Sequence, residues 1–149
     1  MSQDLARRAV ASKHWRWLPG MLAIHPNFRD VRVSHVGRTG MHGACRYASP
    51  MGGVSQAVVA LPLPTSSDVL PDLTDSATLG CLLALVREAW GDPTIGAVQA
   101  GDYKTAVAGL TIPSRSHWLV MRAGAVGLDV HKHGDTEAEA LVAALEAAP

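Results

Sequence analysis

Asp129, His131 and His133 stand at every second position. On an extended strand that spacing turns all three side chains to one face, while Leu128 and Val130 turn to the other. Two imidazoles and a carboxylate on a common face form a donor set suited to a transition metal such as zinc. His117 joins them if the connecting hairpin has an odd-numbered loop. It turns away if the loop is even, because a slip of one residue exchanges the faces. The same residues also suit the solvated side of an antiparallel sheet with no ion bound.

A second group of candidates lies in the first fifty residues, which carry Arg7, Arg8, Lys13, Arg16, Arg29, Arg32, Arg38 and Arg46 against only Asp4 and Asp30. That region has a net charge of +6, the remainder −6, and the whole chain is neutral. Arg7, Arg8, Lys13, Arg16, Arg32, Arg38 and Arg46 are therefore the candidate partner-binding residues, a basic surface for phosphate or an acidic protein face. Mutual packing of the basic and acidic halves is the structural alternative. Trp15, Trp17 and Tyr47 lie among these arginines. Aromatic rings interleaved with cations can hold single-stranded nucleic acid by stacking and phosphate contact. Trp15, Trp17, Leu18 and Met21 equally suit a hydrophobic plug beside Pro19, where a helix must end.

The familiar catalytic signatures are missing: the chain has no G-x-S-x-G, P-loop, H-E-x-x-H or G-x-G-x-x-G. The acids are few and fall mostly at helix starts and on helix faces, so no general acid and base pair stands out. Cys45 and Cys81 are far apart and outside any C-x-x-C pattern. Two reduced thiols of a cytosolic protein are the expectation, with no basic neighbour to make Cys81 a nucleophile. No catalytic residue and no cofactor is assigned.

These residues need elements to position them. Residues 2–14 read as a helix capped by Ser2 or Asp4, with Leu5, Ala9 and Val10 (and Ala6) as its apolar stripe and Arg7, Arg8 and Lys13 off it. From residue 30 to 59 the pattern alternates as strands do, with Val31 and Val33 on one side and a turn at Gly37 and Gly40. Residues 44–48 and 54–61 continue it, and residues 62–68 form a connector. Residues 72–91 give a helix capped by Thr74 or Asp75, with Leu79, Leu82, Leu83, Val86 and Trp90 in one arc and Gly91 at its exit before Pro93. Residues 104–110, 116–122 and 125–132 read as strands, the last two as a hairpin turning near Ala123 and Gly124. The final helix starts near Asp135 with the capping box of Thr136 and Glu139, and its stripe is Ala138, Leu141, Val142 and Leu145.

The sum is an α+β fold, an antiparallel sheet of short strands packed by about three helices. The chain has 149 residues, of which 48% are hydrophobic and 17% charged. That length suits a single domain over residues 1–149, with a helix–hairpin–helix unit over 72–149. No run reaches the roughly 18 apolar residues of a membrane span, and Lys13, His14 and Arg16 stand where a secretory signal would be apolar. The expected location is the cytoplasm, with no membrane partner. Oligomeric state is not legible.

Three stretches carry a resemblance. LPDLTDSATLGCLLALVREAWGD at 70–92 and DTEAEALVAALEAA at 135–148 resemble small phage and prophage proteins, as does WRWLPG at 15–20. Their order, a helix, a hairpin and an Ala-rich closing helix, is similar to the phage ABA-sandwich type domain. The family has no catalytic residues to carry over. The resemblance implies a non-enzymatic phage or prophage accessory protein that binds a host protein or ribonucleoprotein complex. An inhibitor of a bacterial defence system, such as an anti-CRISPR protein, is one such class. The competing expectations are a metal-binding protein or enzyme built on Asp129, His131 and His133, and a nucleic-acid module using the basic first third.

Overall fold

A computed structural model describes residues 3–25, 29–37, 40–48, 54–62, 69–100, 117–122 and 130–149. It contains helices α1 (Gln3–Ala11), α2 (Ser76–Trp90) and α3 (Glu137–Glu146). The strands are β1 (Leu22–His25), β2 (Arg29–Val36), β3 (Gly40–Ala48), β4 (Val54–Pro62), β5 (Leu70–Pro71), β6 (Ile95–Ala100), β7 (His117–Arg122) and β8 (Val130–Gly134). All strand pairs are antiparallel. The α+β class with three helices stands as the sequence predicts. The strands, however, form two sheets, ordered β4-β3-β2-β1-β5 and β6-β7-β8. The chain divides into two compact units, Met1–Cys81 and Leu82–Pro149, with the division inside α2. No helix among the described residues is long and apolar enough to cross a membrane.

In the first unit, α1 buries Leu5, Ala6 and Ala9 and leaves Arg7 and Arg8 outward. It ends at Ala11, before the expected residue 14. The Ser12 hydroxyl accepts the His14 N–H at 3.4 Å, and a side chain that competes for backbone groups favours a helix end over a helix interior. Beyond it, Trp17 and Met21 are buried at 5% and 0% exposure. Trp15 packs edge-on against Trp17 with ring centroids 5.6 Å apart. The expected plug is thus formed, with Trp15 and Leu18 only half-buried. Val31 and Val33 of β2 point inward with Ala23 of β1, as strand alternation requires.

In the second unit, α3 lies along β8, β7 and β6. Its N-terminus is the capping box expected from Thr136 and Glu139. The Thr136 hydroxyl accepts the Glu139 N–H at 3.2 Å, and the Glu139 carboxylate accepts the Thr136 N–H at 3.2 Å. Ala138, Leu141, Val142 and Leu145 are all buried, joined by Ala140 and Ala144. Fully burying a leucine such as Leu141 contributes about 2 kcal/mol.

The exit of α2 turns at Gly91, whose φ of 62° lies in the left-handed region where a side chain is strained. The Gly91 N–H reaches the Glu88 carbonyl at 3.0 Å and the Asp92 N–H the Arg87 carbonyl at 2.9 Å, the paired bonds of a Schellman stop. Arg87 Nε donates to the Ile95 carbonyl at 2.7 Å and Trp90 Nε1 to the Ala144 carbonyl at 2.9 Å. These side-chain bonds fix the end of α2 to β6 and α3.

Candidate functional site

The amphipathic pattern of α1 forces its charged residues together on the outside. With Leu5, Ala6 and Ala9 facing in, Arg7 and Arg8 fall on the opposite side, and Lys13 and Arg16 are exposed just past the helix end. Asp4 shares this side and accepts from Arg7 Nη1 at 3.3 Å. An exposed pair of this kind is worth under about 1 kcal/mol, so it leaves Arg7 available to a stronger anion. Four basic residues are thus exposed along α1 and its exit, on a helix whose other side is anchored in the core.

Arg32, grouped with that surface by its charge, belongs elsewhere. Its Nη1 and Nη2 donate to the two oxygens of Asp75 at 2.6 and 2.7 Å, and Nη1 also donates to the Gly20 carbonyl at 2.7 Å. Asp75 is at the same time the cap of α2: its Oδ2 accepts the Thr78 N–H and hydroxyl, both at 2.8 Å. The Thr78 hydroxyl oxygen in turn accepts the Leu22 N–H at 2.8 Å. The Arg32 guanidinium, aided by these bonds from Thr78, holds the Asp75 carboxyl well below the usual carboxylate range, against the opposing effect of burial. This chain of bonds ties β1, β2 and the start of α2 into one piece, and its role is structural.

Of the other predicted basic residues, Arg38 lies outside the described residues. Arg46 is described as backbone only, in β3 opposite Gln56. Tyr47 is likewise placed in β3, opposite Ser55. Trp17 is too buried to offer its ring to a nucleic-acid base. The indole nitrogens of Trp15 and Trp17 are buried with no acceptor among the described residues.

The histidine face meets an irregular strand. His133 opposes Leu119 and Val130 opposes Met121, so β8 carries one extra residue between them. The two-residue period that would align Asp129, His131 and His133 is interrupted at this bulge. His133 is exposed, His131 is described as backbone only, and Asp129 lies outside the described residues. His117, two residues from Leu119, falls on the face of His133. Among the described residues, no group of three or more His, Cys, Asp or Glu side chains could hold an ion.

Cys81 is a free, half-buried thiol whose Sγ lies 3.6 Å from the Pro19 carbonyl. Burial pushes this thiol up, outweighing the nearby Arg32 charge that pulls it down. It is therefore a protonated, packed side chain at neutral pH, as its lack of a basic sequence neighbour suggested.

Two further side-chain pairs, beside Arg32 with Asp75, escaped the sequence reading. Asp92 accepts the Thr94 N–H at 2.8 Å and hydroxyl at 2.6 Å, and pairs with Arg122 Nε. The Thr94 bonds, with Arg122 behind them, hold its carboxyl below its ordinary value. His35 and His42 face each other on exposed positions of β2 and β3. Their signal was present, since the two lie symmetrically about the turn that the sequence predicts at Gly37 and Gly40.

Comparison of the chain with protein-family models, with curated proteins and with solved structures finds no match.

Proposed function

We propose that the protein is a non-enzymatic phage or prophage accessory protein that acts in the bacterial cytoplasm by binding a host protein or protein–RNA complex. An inhibitor of a defence system, of the anti-CRISPR kind, is the specific form of this reading. The observation that carries it is the exposure of Arg7 and Arg8 on α1, whose opposite side is buried, and of Lys13 and Arg16 just past its end. A charged surface steers an oppositely charged partner and fixes its register. The tight polar constellations described, Arg32 with Asp75 and Asp92 with Arg122, are occupied by capping and element-tying bonds rather than open to a substrate. The resemblance of residues 70–92 and 135–148 to phage proteins supplies the biological context.

The test is affinity capture from bacterial lysate with the tagged protein, with and without nuclease, read by mass spectrometry. One protein or complex recovered in both samples is the expected result. Recovery that disappears with nuclease would replace this reading with direct nucleic-acid binding, and an empty capture would contradict it.

A further inference from the structure

The β2–β3 ladder is interrupted by a bulge at one place. Val33 opposes Gly43 and His35 opposes His42, so Ser34 is an extra residue on β2. Without it, Ser34 would oppose His42, and His35 would take the alternate face, the side on which Val31 and Val33 are buried. The bulge thus brings His35 out to the face of His42. Two further details hold it in place. A Cβ on Gly43 would lie 2.4 Å from Val31 Cγ1 and 2.7 Å from the Arg32 carbonyl oxygen, so only glycine permits this close approach of the strands. The Ser34 hydroxyl donates to the His42 carbonyl at 3.1 Å, closing the bulge onto the partner strand.

The outcome is two exposed imidazoles directly across from each other, with ring centroids 6.3 Å apart and planes inclined by 31°. That separation is slightly wider than a shared ion requires. Closing it by about 1 Å through rotation of exposed side chains brings one nitrogen of each ring within the ~2.0–2.1 Å reach of a single zinc ion. We propose that His35 and His42 form a two-imidazole chelating site for a divalent transition metal, with water filling the remaining positions. Imidazole donors without carboxylates select zinc, copper or nickel over magnesium or calcium. The site shares no residue with the Asp129, His131 and His133 set and is independent of the proposed partner-binding role.

The test uses zinc ion alone with the full, untagged chain. Calorimetric titration of the wild type should give one site, reversed by EDTA. H35A and H42A should each weaken it by more than about ten-fold, the loss that even an outer partner of a ligand produces. H131A/H133A should leave it unchanged. Because each variant could perturb its strand, imidazole NMR of the wild type gives a second reading, in which the resonances of His35 and His42 move together on zinc addition. Absence of binding at millimolar zinc, full affinity in H35A or H42A, or shifts confined to other histidines would overturn the proposal.

Discussion

Arg32 and Asp75 meet in a two-pronged ion pair, 2.6 and 2.7 Å, across a sequence separation of forty-three residues. The pair joins the middle of a strand to the first turn of a helix, and Asp75 caps that helix while holding the arginine. Removing the carboxylate therefore loses two functions at once. D75A should cost about 3 kcal/mol once the half-exposed arginine is discounted for solvent, a fall of about 5–10 °C in Tm for a chain of this size. D75N keeps a capping oxygen and removes the charge, so its loss should be smaller. Because the Asp75 carboxyl lies below its ordinary value when folded, the charge contributes stability above about pH 4 and loses it as pH falls further. The stability gap between wild type and D75N, from urea unfolding, should thus be full at pH 7 and shrink below pH 4. A gap that does not change with pH would mean the ion pair is not its source.

Cys81 should react slowly. With Cys45 replaced by serine, alkylation of the folded protein by iodoacetamide at pH 7.5 should be about ten-fold slower than that of glutathione, because burial favours the protonated thiol. Unfolding in urea should restore the ordinary rate. A folded-state rate equal to glutathione would show the thiol to be open to solvent and activated.

The capping box of α3 should be measurable on its own. T136A removes the acceptor for the Glu139 N–H and should cost about 1 kcal/mol, whereas T136S keeps the hydroxyl and should cost little. Equal losses from both substitutions, measured by thermal unfolding, would place the effect in the threonine methyl group instead of the cap.

The local signals proved legible and the long-range ones did not. Thr136 with Glu139, Gly91 at the end of α2, Asp75 at its start and the inward Val31 and Val33 follow from spacing over a few residues, and each appears where spacing puts it. β1 and β6 were missed. Ile95, Gly96, Ala97 and Val98 include two residues of low strand preference, and Leu22 to His25 is a run too short for alternation to register. The strand expected at residues 104–110 and the turn near Ala123 and Gly124 lie outside the described residues. Arg32 was grouped with the surface cations because its partner is forty-three positions away, and charge alone carries no such information. Bulges account for the histidines. One inserted residue in β2 places His35 beside His42, and one in β8 interrupts the period on which the Asp129, His131 and His133 set depended.

The central claim, that the basic face of α1 and its exit is the working surface, rests on Arg7, Arg8 and Arg16. All three are exposed on α1 and its exit. The decisive measurement is the affinity of R7E/R8E/R16E for the captured partner, beside its Tm. The account predicts a variant that still unfolds cooperatively and binds at least about ten-fold more weakly, with the wild-type affinity falling as salt is raised. Wild-type affinity in the triple variant would remove this face from the mechanism.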